Sequence, residues 1–202
     1  MALLKRSLIE YLKYFSLNMP MLMSGCALLS SIFNKDIKGY IFVTGGLFLM
    51  GIGALISSSI GNLVPKEGFN AEACNMFFGD NWGLKYSSPE AHSLFLAYAF
   101  TYLTTGMFIH SDYNFPMIAV LILVMISNAY IRTNVLKCGH SIDILIGWST
   151  GLLWGTGLYA LMYVIEKKYD NIIPLTYFSG GDGPDKCKLT NRKFKCKKYA
   201  VK

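Results

Sequence analysis

Cys138-Gly139-His140-Ser141-Ile142-Asp143-Ile144-Leu145-Ile146-Gly147 is the stretch on which the reading of this chain turns. Here a polar loop becomes a long apolar run, and a histidine and an aspartate stand three positions apart where the run begins. An ionisable group at the start of a membrane span is costly, so it marks a candidate functional site. The run continues to Ile165 and carries Gly147, Gly151 and Gly155 at four-residue spacing, a pattern that lets a neighbouring helix approach closely. The stretch predicts a transmembrane helix with chemistry at its mouth. The rest of the chain then decides which partners reach His140.

Composition supports the membrane reading. Of 202 residues, 53% are hydrophobic and only 15% charged, against about 25% charged in ordinary soluble domains. Mean hydropathy is +0.38. The net charge of +7 is not a nucleic-acid signal, because ten of the nineteen Lys and Arg follow Ile165. No nucleic-acid motif accompanies them, so nucleic acid is excluded as a partner. The cluster fits a cytoplasm-side tail or one that meets anionic lipid.

Five apolar stretches predict about five transmembrane helices: Tyr14–Phe33, Tyr40–Leu63, Ala91–Ile109, Phe115–Ile131 and Ile142–Ile165. Each approaches the ~20 residues that cross a hydrocarbon core. Before them, Leu4, Leu8, Leu12 and Phe15 share one helical face and predict an N-terminal amphipathic helix at the interface. The expected organisation is an interfacial helix over 1–18, a transmembrane helical domain over 19–165 and a basic soluble tail over 166–202. The fold class is an all-α integral membrane protein, multi-pass, with membrane lipids as its surroundings.

Five crossings place the N-terminus, the 64–90 loop and the 132–141 loop on one side, and the tail on the other. The cation balance puts the tail in the cytoplasm and His140 on the opposite face. Cys74 and Cys138 then share the non-cytoplasmic face, where a disulfide is permitted. Cys187 and Cys196 bracket a segment whose Thr190-Asn191-Arg192 centre suits a small hairpin. They are either free thiols or a disulfide, and with no histidine nearby they make a poor zinc site. Neither a metal nor a cofactor is expected.

The same topology gathers His92, Arg132, His140 and Asp143 at one membrane face. Two imidazoles, a carboxylate and a guanidinium suit phosphoryl transfer: one imidazole attacks phosphorus, the carboxylate orients it and the second protonates the leaving oxygen. Arginine grips phosphate oxygens through two parallel hydrogen bonds.

Pro89-Glu90-Ala91-His92 at the opening of the third span, with Arg132 and His140…Asp143 straddling the fourth and fifth, resembles the type 2 phosphatidic acid phosphatase superfamily. The resemblance covers about residues 40–165. It implies a phosphatase-like helical bundle and, if the site is active, hydrolysis of a lipid phosphate monoester or a polyprenyl diphosphate. By that resemblance His140 is the nucleophile, Asp143 its orienting carboxylate, His92 the general acid, and Arg132 a phosphate clamp. Lys66, with Lys85 and Lys137 as alternatives, is the candidate to stand in for the family's missing cations.

The departures from the family pattern are specific. Glu90 replaces the phosphate-binding serine, Val64 and Ser57 fall where the arginine and lysine of the first signature belong, and Arg132 to His140 is longer by two residues. Losing one charge-stabilising donor costs about 10²–10³ in rate at such sites. A reworked phosphatase and a catalytically inactive structural subunit of a larger assembly, such as a virion inner membrane or an organellar complex, are the two expectations. In the second, the tail over 167–202 docks to protein partners. A carrier is disfavoured, because no charged residue stands at the middle of any span.

Overall fold

The computed structural model describes residues 8–60, 74, 88–168, 175–177, 185–190 and 193–198. Among the described residues five long helices carry the fold: α1 (Leu8–Asn34), α2 (Lys38–Ile60), α3 (Ala91–His110), α4 (Phe115–Tyr130) and α5 (Ser141–Lys168). A π-helical turn over Ile131–Val135 extends α4. Two antiparallel strands, β1 (Asp185–Thr190) and β2 (Lys193–Lys198), add a hairpin to the tail. Its register pairs Cys187 with Cys196 and Thr190 with Lys193.

α1, α2, α5 and α4 with its π turn are long and apolar enough to cross a membrane. Their outward surfaces carry Leu47, Phe48, Leu55, Leu123, Leu153 and Val164, all more than half exposed. A fold that turns its largest aliphatic side chains outward suits lipid rather than water as its surroundings.

Of the five expected spans, α3 is the one not among these four. Its twenty residues still measure about 30 Å. It is the central helix, enclosed by its neighbours. Every residue from His92 to Ala99 is buried, so the lipid asks little of its composition. Phe42 and Leu49 from α2, Leu94, Phe95, Tyr98 and Tyr102 from α3, and Tyr159 from α5 make the core.

α3 and α5 run parallel, and glycine makes their contact possible. Gly147 lies against Leu94, Gly151 against Leu94 and Tyr98, and Gly155 against Tyr98 and Tyr102. Each step of four on one helix matches a step of four on the other. A Cβ on Gly147 would stand 2.9 Å from the Glu90 carbonyl oxygen, and one on Gly151 would overlap the Leu94 carbonyl. The stripe was legible in the sequence, and its partner is α3.

From Leu8, α1 continues unbroken through residue 18 and past Pro20. A helix that joins the first span directly buries no free end and leaves no terminal backbone groups unsatisfied at that depth. At the other end, α5 runs to Lys168. Glu166, buried near the end of α5, accepts hydrogen bonds from the Leu175 and Thr176 amides and from the Thr176 hydroxyl at 2.7 Å. Tyr159 donates to the Tyr177 carbonyl at 2.7 Å. A buried carboxylate needs such donors, so the tail's first described residues fold back onto the bundle.

Candidate functional site

The site is built where α3, the π turn of α4 and the start of α5 converge. Glu90 is the N-cap of α3, and its carboxylate accepts from the His92 amide at 3.3 Å and the Ser93 amide at 2.6 Å. Helix N-termini leave these amides without intrahelical partners, so a capping carboxylate there is favourable. The Glu90 amide in turn donates to the Asp143 carbonyl at 3.2 Å, which ties the heads of α3 and α5 together.

Arg132 comes from the π turn. A π turn takes one extra residue for the same arc and re-aims its side chains. The guanidinium lies against Glu90, with Nη2 at 2.5 Å and Nε at 2.8 Å from the same carboxylate oxygen. Nη2 also donates to the Cys74 carbonyl at 2.8 Å. Both side chains of the pair are about 2% exposed. Cys74 is bonded to Cys138 in a disulfide, so the loop before α3 is stitched to the loop before α5 directly over the ion pair.

The electrostatics follow from this enclosure. Burial alone would push the Glu90 carboxyl up. The adjacent Arg132 guanidinium, with His92 and the Ser93 hydrogen bond, outweighs burial and holds it down at about 2. Glu90 is therefore an anion at neutral pH, and its charge is spent on Arg132.

His92 is buried on the same side, within electrostatic reach of both charges, and meets the backbone of Ser16. Asn128, one turn before Arg132, donates to the Ser16 hydroxyl at 2.8 Å and to its carbonyl at 3.2 Å. Ser16 thus clips α1 to α3 and α4 at this end of the bundle. Asp143 is fully buried, and its carboxylate accepts from the His140 amide at 2.6 Å. That is one half of a capping box: a side chain in the first turn of α5 reaching back to the residue before it.

The structure therefore brings together three of the five residues expected at the site: His92, Arg132 and Asp143. His140 is exposed at the surface of the same loop and contributes its backbone amide to the cluster. Lys66 lies outside the described residues. Among the described residues no group of three or more His, Cys, Asp and Glu side chains could hold a metal ion.

Three contributors were not expected: Glu90 as a cap and ion-pair partner, Asn128 and Ser16. Glu90 was signalled by its place directly before an apolar helix, after Ser-Ser-Pro, where a carboxylate caps. Asn128 and Ser16 carried a weaker signal, as polar residues inside spans that were otherwise apolar.

Family models, curated proteins and solved structures were all searched, and none matches this chain. What the fold defines is a helical protein with four helices able to cross a membrane, closed at one end by a buried ion pair under a disulfide.

Proposed function

We propose that the chain is a catalytically inactive, multi-pass structural subunit of a membrane assembly, built on a helical frame like that of the type 2 phosphatidic acid phosphatases. The observation that carries this reading is the Glu90–Arg132 pair. The guanidinium that would clamp a phosphate is buried and engaged with a carboxylate. A phosphate approaching it would have to displace Glu90 and meet that residue's negative charge.

The other candidate groups support the same reading. The Asp143 carboxylate accepts from the His140 backbone amide at the head of α5. His92 is buried whereas His140 is exposed. In this arrangement the residues of a phosphatase-like site serve to cap, clip and align helices.

In the membrane, α3 makes a fifth crossing alongside α5, and the disulfide face lies in an oxidising compartment. The tail over 167–202 then lies on the cytoplasmic side and docks to a protein partner. The test pairs two measurements on the full chain in its native membrane. Truncation after Tyr177, which keeps the residues bound to Glu166 and Tyr159, should release the protein from its complex. Phosphate release from phosphatidic acid and from a prenyl diphosphate should stay at background for the intact protein. Release that depends on His140 would overturn the reading in favour of a reworked lipid phosphatase.

A further inference from the structure

The hairpin of β1 and β2 has two unequal faces. Directly opposite residues of an antiparallel pair share a face, and every second residue along a strand returns to it. The register therefore puts Lys186, Lys188 and Thr190 on one face with Lys197, Lys195 and Lys193. Asp185, Cys187, Leu189, Phe194, Cys196 and Lys198 share the other. The first face gathers five lysines and no acid.

Such a face works against its own fold. Lys186 lies opposite Lys197 and Lys188 opposite Lys195, and like charges directly opposite are destabilising. A two-stranded hairpin alone is at best marginal in water, so the repulsion calls for an anionic partner. One phosphate is too small to answer it. Three positions on one strand face extend over about 14 Å, with the second strand about 5 Å away. That array fits a surface carrying many anionic groups.

The tether names the surface. Tyr159 holds the Tyr177 carbonyl and stands nine residues (168 minus 159) inside the end of the Ser141–Lys168 span. Nine residues of helix are about 14 Å. Asp185 follows Tyr177 by eight residues (185 minus 177), a reach of at most about 28 Å for a fully extended chain. Half of that reach is needed to regain the end of α5, so β1 begins within about 15 Å of the level where α5 leaves the membrane. Lysine clusters this close to a span on the cytoplasmic side meet a leaflet rich in anionic lipid.

We infer that the face formed by Lys186, Lys188, Lys193, Lys195 and Lys197 docks on the anionic lipid headgroups of the leaflet beside α5. The bilayer then screens the paired lysines and holds the hairpin at its surface. This inference rests on the topology proposed above, with the tail on the cytoplasmic side, and is independent of catalysis.

The experiment uses the purified full chain in nanodiscs of phosphatidylcholine alone or mixed with phosphatidylserine. A water-soluble amine-acylating reagent and peptide mapping read the reactivity of each lysine. The five lysines should react several-fold more slowly with phosphatidylserine present, and high salt should reverse the effect. Lys198, on the other face, should not change. Lys188→Gln combined with Lys195→Gln removes one repelling pair, so the hairpin itself gains while protection of Lys186, Lys193 and Lys197 should weaken. Lys198→Gln should leave that protection intact. Equal reactivity in both nanodiscs, protection of Lys198 to the same degree as the five, or protection seen only in native membranes with a bound acidic protein would overturn the inference. No protein partner is present in the nanodiscs, so such a failure leaves the complex-release test of the tail to be decided separately.

Discussion

Arg132 and Glu90 hold opposite charges in a space that excludes water, and each is tolerable only because of the other. Removing one partner of a buried pair leaves an uncompensated charge and costs about 3–5 kcal/mol. Arg132→Ala and Glu90→Ala should each lower the thermal unfolding midpoint sharply in detergent. Replacing both with apolar residues of similar volume should cost less than either single change, and a double-mutant cycle measures that coupling.

The pH dependence has a definite sign. Glu90 is near 4.5 when unfolded and about 2 when folded, so its stabilising contribution is complete above 4.5. It is lost as pH falls from 4.5 toward 2. Glu90→Gln should flatten the stability profile in that window, as followed by the unfolding midpoint between pH 5 and pH 3.

His92, Arg132 and Asp143 were legible from the sequence as a co-located group, because ionisable residues beside apolar runs are few. Their use was not legible. Whether Arg132 faces a substrate or Glu90 depends on the rotation of a π turn, which no spacing in the sequence announces.

At the scale of elements, the contact of α3 with α5 is the joint that sets the bundle. Gly151→Ala would drive a methyl group into the Leu94 carbonyl, and backbone cannot yield as a flexible side chain can. The expected cost is about 1–3 kcal/mol, as for other overpacked sites. Gly157→Ala is the control on the same helix, since nothing lies within 4 Å of its added Cβ. There the change should be neutral or stabilising by about 0.5–1 kcal/mol through the better helix propensity of alanine. Thermal midpoints of the two variants separate packing from propensity.

The disulfide is the second joint. Cys74→Ser should cost about 2–4 kcal/mol, because the bridge closes a separation of 64 residues across the two loops.

The helices themselves were readable to within a few residues, since each is an apolar run bounded by polar punctuation. The fold-back of 175–177 onto Glu166 was not. It depends on one buried carboxylate gathering three donors, a tertiary arrangement without periodicity.

For the whole molecule, the outward aliphatic surface and four long apolar helices were written in composition, and so was the basic tail. The centrality of α3 was not, because its apolar run reads like the others and only packing shows which helix the rest surround. The bridge over the ion pair was half legible: the topology put Cys74 and Cys138 on one face, and only the fold brings their Cα atoms to 5.4 Å. With α3 crossing the membrane, Lys137 and the tail lie on opposite sides. Cysteines placed singly at Lys137 and at Lys202, the tail terminus, should react with a membrane-impermeant maleimide from opposite sides of sealed vesicles. Reaction of both from the same side would remove the fifth crossing.

The most direct measurement is phosphate release by the purified full chain, supplied in turn with phosphatidic acid and a prenyl diphosphate and compared with its His140→Ala variant. With Arg132 committed to Glu90 and Asp143 to the α5 cap, both proteins should release phosphate at the same background rate. Release by the native chain that disappears in His140→Ala would contradict the account and return these residues to catalysis.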